Sequence, residues 1–445
     1  MKRLLKQSTV YFLANFLLKA ISFVLLPFYT HIMDPKTLGV VFICVFLTEG
    51  LILLFGFSLK ASILLYCVKL RRVINKRRFL SSVVMVTFIT SLAMLTILGF
   101  VYKPVTHYLD LTLSVYWLVV LSAALGLFFP LILSYYQALE KVKKVFTLSF
   151  FSGLINIVCI LTAVLSFDDA VFGYMFGYFI YIIVSFGIFI SFYLKERSFP
   201  SWRFTRFALL YAKNYYFTDL SAWIVSFSDR LMLYKMLGSS ASGMYTAAYK
   251  LSQSCDVIYH SINKASSPIL FSELKDNKVN KRYRLSCLYN SLISFSILVA
   301  GGLIFISPWL LKLLDDEYKN LNWIFVLIVL SCLLNAIKMI VDKPMSYYEN
   351  LVKYKSITWF FAAIVNLFLN FLLIPILGME GAAIATFISF LITLVPVYLI
   401  SKKAVDFEVD YAWNFALFIC WGVVSLVGVY YVYIALFLGG GVFFL

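Results

Sequence analysis

With 62% hydrophobic and only 13% charged side chains over 445 residues, the chain is too apolar for a soluble fold, which could not cover that much apolar surface. The formal net charge of +17 does not point to nucleic acid, because the basic residues are grouped at intervals between apolar runs. Runs long enough for a hydrocarbon core of about 30 Å, which takes roughly 20 helical residues, recur along the chain, and the composition predicts an all-α polytopic membrane protein.

The start, MKRLLKQSTVYFLANFLLKAISFVLLPFYT, has the basic head of a signal peptide, but its apolar run is longer and has no small-x-small cleavage site. It reads as an uncleaved first crossing near 8–32. Further crossings are expected near 40–66, 80–102, 113–139, 146–167, 170–194, 214–237, 243–271, 285–311, 322–342, 356–376 and 381–401, twelve in all. Residues 411–445 add one more span and leave room for a short fourteenth. Basic clusters at residues 2–6, 69–78, 141–144, 195–213, 275–284, 343–355 and 402–403 alternate with connections at 33–39, 102–112, 167–169, 238–243, 312–320 and 378–381. The second set holds only Lys36, Lys103, Lys312 and Lys319. By the positive-inside rule the first set is cytoplasmic, and so is the N-terminus. The crossing at 214–237 is the least apolar, yet parity requires it: the clusters on either side of 214–271 are both inside, and an even number of crossings must separate them.

An internal repeat agrees. A shift of 204 residues sets SFVLLPFYTHIMDPKTLGVV (22–41) over SFSDRLMLYKMLGSSASGMY (226–245), aligning Gly39 with Gly243, and carries Lys60 onto Lys264. A shift of 212 sets YYQALEKVK (135–143) over YYENLVKYK (347–355). Two halves of six helices follow. Because six is even, both point the same way, related by an axis along the membrane normal.

A charge facing lipid costs on the order of 2.5–3.5 kcal/mol at a helix centre, so intramembrane polar residues are expected to face a cavity or a partner. At about 100° per residue, Lys250, Gln253, Asp256, His260 and Lys264 share an arc of about 120° on the eighth crossing. Glu49 and Lys60 share a face of the second. Asp219, Trp223, Ser226 and Arg230 form a stripe on the seventh, and Tyr11, Asn15, Lys19 and Ser22 one on the first. Four wet faces, on the first two helices of each half, suggest a shared aqueous cavity richer in cations than in carboxylates, which favours an anionic substrate such as a phosphate. For Lys60 and Lys264, cavity lining and snorkelling toward the interface are both open, and His260 reads equally well as a packed polar residue. Lys338, near the inner end of the tenth crossing, is expected to snorkel, and Lys235 to mark the outer boundary of the seventh. Asp229 and Arg230 lie about 100° apart and cannot both face the lumen; a structural ion pair is open for them.

The stretches NFLLKAISFVLLPFYTHIMDPKTLG (15–39), SDRLMLYKMLGSSASGMYTAAYKL (228–251) and NLFLNFLLIPILGMEGAAIATFIS (366–389) resemble the polysaccharide transporter family, which includes the O-antigen flippases. That family lies in the superfamily of multidrug and toxin extruders and lipid II flippases. The resemblance implies a V-shaped pair of six-helix lobes, 1–206 and 207–403, around a central cationic cavity, with one or two extra helices in 404–445. It further implies alternating access that moves an oligosaccharide on undecaprenyl diphosphate, an O-antigen or similar surface polysaccharide repeat unit of lipopolysaccharide biosynthesis or its like, from the inner to the outer leaflet of the bacterial cytoplasmic membrane. Arg230 and Lys250 would contact the diphosphate on the outer half of the path and Lys19 lower down, with Lys60, Lys264, Asn15, Trp223 and Gln253 completing the cavity. Glu49, Asp219, Asp229, Asp256 and His260 are candidates for ion coupling. Membrane lipid and the polysaccharide polymerase and export machinery are the implied partners, and nucleic acid is not one.

The rival readings are a cation-coupled drug or metabolite antiporter of the same superfamily and a multipass sugar polymerase or ligase. The second is disfavoured by the shortness of the outer connections and the lack of a P-loop, HExxH or nucleophile elbow, so no enzyme is expected. Seven cysteines without a CxxC pair, and histidines only at 31, 107 and 260, give no metal site or disulfide scaffold, and no cofactor is expected.

Overall fold

In the computed structural model, residues 25–70, 72–275, 280–318, 321–420 and 422 are described. Asn15 and Lys19, like most of the region after 420 assigned to the last spans, lie outside them. Helical residues 25–32 are followed by α1 (Pro35–Gly56), α2 (Leu59–Lys69), α3 (Val73–Phe100), α4 (Tyr102–Leu109), α5 (Leu113–Gly126), α6 (Phe129–Ala138), α7 (Val142–Ser166) and α8 (Ala170–Glu196). Then come α9 (Trp202–Leu237), α10 (Ser239–Ser252), α11 (Ser254–Lys275), α12 (Lys281–Lys312), α13 (Asn322–Val341), α14 (Lys343–Tyr347), α15 (Val352–Ala404) and α16 (Tyr411–Cys420).

The described residues are all-α, and eight stretches among them are long and apolar enough to cross a membrane. Large apolar side chains such as Phe88 and Leu92 on α3 and Phe360, Phe368 and Phe371 on α15 point outward, as lipid contact requires. Buried hydroxyls such as those of Thr48 and Thr393 bond back into their own helices, to the Cys44 carbonyl (2.8 Å) and that of Ser389 (2.8 Å), which satisfies these donors without water. Helices also stand where parity demanded crossings: α9 runs for 36 residues, and α10 and α11 follow it.

Three expected crossings are broken, the fourth crossing among them at residues 127 and 128, between α5 and α6. The second divides into α1 and α2 at Phe57 and Ser58, both in the left-handed region (φ 46° and 51°) that non-glycine residues rarely adopt. The eighth breaks at Gln253, so the polar arc drawn over 250–264 as one helix is split between α10 and α11. At the expected connection between the eleventh and twelfth crossings, Gly378 (φ 62°, ψ −136°) folds α15 back on itself. The two arms, 352–377 and 379–404, then pair antiparallel: a Cβ on Gly381 would lie 2.3 Å from the Leu373 carbonyl oxygen, and Asn366 Nδ2 donates to Thr386 Oγ1 at 3.3 Å. The α7–α8 hairpin uses the same device, with Gly173 and Gly177 against the backbone of Ala163 and Cys159.

The chain forms two compact units. Among the described residues one covers Val40–Phe227, and the other joins residues 25–39 to those from Ser228 onward. This grouping follows packing and passes through α1 and α9, whereas the boundaries at 206 and 403 follow chain order. The core of the first unit gathers Ile63, Phe79, Leu80, Ile132, Tyr135 and Phe192, and at one end of it Arg77 Nε meets Glu196 at 2.7 Å. In the second unit the segment after α15 is tied to α12: the backbone of Glu408 donates to Ser286 Oγ (2.7 Å) and that of Asp410 to Asn290 Oδ1 (2.8 Å).

The internal repeat is visible as a reciprocal contact inside the second unit. A Cβ on Gly39 would sit 1.9 Å from the Ser239 carbonyl oxygen, and one on Gly243 would sit 2.0 Å from that of Pro35. Pro35 and Ser239 are related by the same 204-residue shift as Gly39 and Gly243, so the contact is self-complementary, as across a two-fold axis. Because backbone atoms block both positions, no rotamer change makes room. Gly39→Ala and Gly243→Ala are each expected to lower stability by about 1–3 kcal/mol as overpacking does. The double variant should lose less than the sum, since the first methyl already parts the helices. Thermal unfolding of the purified protein in detergent measures both effects.

Candidate functional site

Within the first unit, a cavity of about 450 Å³ opens beside the α1–α2 break. Its polar lining is Glu49 from α1, Ser58 at the break, Lys60 from α2, Thr87 from α3, and Asp219 with Trp223 from α9; Ile52, Leu53, Leu59, Leu127 and Leu131 supply apolar wall. The polar positions come from local sequence. Eleven residues of helix would set Glu49 and Lys60 about 20° apart, and the break does not prevent both from lining the cavity. Asp219 and Trp223, four residues apart, stand one turn above another on α9.

The break is held from across the unit: Ser58 Oγ donates to Asp219 Oδ2 at 2.7 Å, a bond between residues 161 positions apart. Ser58 is itself 3% exposed, so this bond secures a buried left-handed residue. Gly50 lets Trp223 approach, since a Cβ there would meet the indole at 2.5 Å. Phe227 continues the contact, its ring centroid 5.7 Å from that of Trp223 and 4.7 Å from that of Phe46. Glu49 and Lys60 are exposed, while Asp219 and Trp223 are half-buried. Two carboxylates, an ammonium and a large aromatic face in a mostly aliphatic chamber make a binding site able to hydrogen-bond hydroxyls and stack a ring. Among the described residues no group of His, Cys, Asp and Glu could hold a metal ion.

The second unit treats its charges differently. Asp229 and Arg230 are 0% and 1% exposed. Tyr245 donates its hydroxyl to Asp229 Oδ2 at 2.7 Å, the Arg230 backbone N–H donates to Oδ1 at 2.8 Å, and the guanidinium carbon lies 3.9 Å from the centre of the Tyr249 ring. Arg230 is thus enclosed, with its charge bearing on Asp229. Beside it Ser228 Oγ donates to Asn366 Oδ1 at 3.1 Å, and Asn370 Nδ2 donates to the same oxygen at 3.0 Å.

Of the other expected residues, Lys250 is half-buried on α10, Gln253 caps its end, Asp256 is half-buried in the first turn of α11, and His260 is exposed. Lys264 lies in α11, its side chain outside the described set. The cavity therefore brings together Glu49, Lys60, Asp219 and Trp223, while Asp229 and Arg230 form a closed cluster elsewhere. Ser58 and Thr87 were missed, and the Ser58–Asp219 bond had no local signal. Lys338 departs from its expected role: rather than snorkelling, it is 1% exposed with its Nζ 3.7 Å from the centre of the Trp359 ring.

No curated protein sequence is a significant match. Among solved structures the chain is similar to an inward-facing multidrug resistance transporter of the MATE family, with TM-score 0.69, 12% identity, and coverage of 89% of this chain and 94% of that one. It is similar to the lipid II flippase MurJ in its inward closed conformation, with TM-score 0.67, 16% identity, and coverage of 97% and 93%. A MOP superfamily transporter from Pyrococcus furiosus, whose binding pocket is described as reversed in polarity, matches with TM-score 0.64, 12% identity, and coverage of 89% and 95%. At these identities the likeness is one of fold. A family model described as polysaccharide biosynthesis protein matches residues 4–275, more than half of the sequence. This multi-pass helical membrane protein belongs to the polysaccharide biosynthesis protein family.

Proposed function

We propose that the chain is a flippase that carries an oligosaccharide on undecaprenyl diphosphate from the inner to the outer leaflet of the cytoplasmic membrane by alternating access. The observation that carries this reading is the cavity of Glu49, Lys60, Asp219 and Trp223 inside a lipid-facing bundle, in a chain of the polysaccharide biosynthesis family. An apolar transporter interior has little reason to keep two carboxylates, a lysine and a half-buried tryptophan around open space unless a polar cargo occupies it. The fold shared with the lipid II flippase supports a lipid-linked cargo.

In this reading Trp223 stacks on a sugar ring while Glu49 and Asp219 accept from its hydroxyls. Lys60, with Lys250, Lys264 and Lys19, meets the diphosphate, and Asn15 and Gln253 add hydrogen bonds. Arg230 serves the cargo indirectly, by holding Asp229 where α9 and α10 meet, and reaches a phosphate only when that cluster opens. Glu49, Asp219, Asp229, Asp256 and His260 are the coupling candidates. The lobes are 1–206 and 207–403, residues 404–445 add further helices, and the N-terminus is cytoplasmic. The cargo is an O-antigen or similar surface polysaccharide repeat unit, handed to polymerase and export machinery.

A second reading, a cation-coupled drug or metabolite antiporter, draws on the two carboxylates beside Trp223, which suit an organic cation, and on the MATE-like fold. Deletion of the gene separates the two. A flippase mutant accumulates lipid-linked oligosaccharide on the inner leaflet and loses surface glycan; an antiporter mutant keeps its glycan and becomes drug-sensitive.

At the residue level, Lys60→Ala and Trp223→Ala are expected to cut surface glycan roughly tenfold or more, the effect of about 1.4 kcal/mol, at unchanged protein in the membrane. Wild-type glycan in both variants would remove the cavity from the cargo's path. Arg230→Met behaves differently. It strands the buried Asp229 carboxylate, which costs about 3–5 kcal/mol, and so lowers the amount of folded protein; adding Asp229→Asn restores it. Membrane immunoblots and thermal unfolding read this contrast.

A further inference from the structure

Lys338, near the end of α13, is a second fully enclosed cation, and no role described so far uses it. Its ammonium is buried and has no hydrogen-bond partner among the described residues. What surrounds it is aromatic: the Trp359 ring centre lies 3.7 Å from Nζ and that of Phe390 5.8 Å, one from each arm of α15. Trp359 and Phe390 themselves meet edge to face at 6.4 Å. An ammonium in such a cage keeps some of its charge stabilisation from the ring faces, and the neutral amine is equally at home among apolar rings.

The residues along the same face of α13 connect this cage to the end of the helix. Asn335, Lys338 and Asp342 fall within an arc of about 60° at 100° per residue. Asn335 Oδ1 is buried without a hydrogen-bond partner, and the Asp342 carboxylate binds Lys355 Nζ at 2.9 Å. Lys355 is the partly exposed member of that pair, its side chain 31% exposed against 6% for Asp342. The other titratable groups nearby are Lys343, whose Nζ donates to Ser267 Oγ at 2.6 Å, and the buried Tyr289 of α12, whose ring stacks on Phe407. The charges that bear on Lys338 are those of Asp342 and Lys355.

We propose that Lys338 is a proton-carrying site of the second unit, loaded and unloaded through Asp342 and Lys355, and coupled to the transport cycle. In the unloading step an Nζ–H bond of the ammonium breaks and its proton passes through intervening water to the Asp342 carboxylate, with which Nζ shares no direct hydrogen bond, leaving a neutral amine in the aromatic cage. The protonated Asp342 gives up its ion pair with Lys355 and loses the proton to water at the helix end. Reloading reverses these transfers. Each turn thus makes and breaks the Asp342–Lys355 link between α13 and the first arm of α15.

The site itself is tested without cargo. In purified protein in nanodiscs, the Trp359 contribution to intrinsic fluorescence, taken as wild type minus Trp359→Phe, is followed from pH 5 to pH 10. It should change sigmoidally, since an ammonium against the ring quenches it and an amine does not. Lys338→Met and Lys338→Arg should abolish the transition, and Asp342→Asn should displace it. A flat wild-type signal, or an unchanged transition in Lys338→Met, overturns the site; if Lys338→Met does not fold, an undisplaced transition in Asp342→Asn overturns it as well. Coupling rests on the flippase reading and is tested apart, in cells. Surface glycan export by Lys338→Arg should fall at least tenfold, and a variant that exports like wild type with the same sensitivity to a protonophore overturns coupling while leaving the titration standing.

Discussion

A charge inside hydrocarbon must be compensated by the protein itself, and each enclosed charge here has a specific answer to that demand. Asp219 is bonded by Ser58, Asp229 is bonded by Tyr245 and faces Arg230, Arg230 lies on Tyr249, and Lys338 lies between Trp359 and Phe390. These answers also determine the local architecture. The Ser58–Asp219 bond stabilises a break that neither glycine nor proline explains, and the tyrosines that hold Asp229 and Arg230 fix where α10 packs on α9. Glu49 and Lys60, by contrast, are exposed and line the cavity.

Much of this order was legible in the sequence because it arises from local or periodic properties. Basic and non-basic connections alternate in step with the helices, and parity located α9 to α11, whose charge hides them from a hydropathy window. Helical periodicity put Glu49 and Lys60 on one face and Asp219 and Trp223 on another, and all four line one chamber. What could not be read is what lies opposite each face. Arg230 shares a stripe with Asp219 and Trp223 but sits beyond the point where α9 passes into the second unit, among Tyr245 and Tyr249. Lys338 is close enough to a helix end to snorkel; the rings that enclose it come from residues 21 and 52 positions later in sequence. The left-handed Phe57 and Ser58 carry no turn signal, since what holds them is a carboxylate 161 residues away.

The 204-residue repeat has physical content beyond shared letters. Gly39 and Gly243 are aligned by it, and each is required by the other's neighbour: Gly39 clears Ser239, and Gly243 clears Pro35. A repeat that survives only as scattered identities in a Phe-rich and Leu-rich sequence is thus preserved most clearly where two backbones touch. Elsewhere the halves have diverged, with the break in α1–α2 at residues 57 and 58 having no equivalent at the corresponding place in α10–α11.

The reversal at Gly378 bears on the shape the molecule presents to its surroundings. One residue turns the chain between two long arms, and Gly381 draws the returning arm against Leu373. The hairpin therefore turns without a loop of its own between the two arms. The opposite ends of the arm pair are shaped differently: there Tyr348, Asn350, Tyr354 and Lys403 line an open hollow, so the element has a direct turn at one end and a recess at the other.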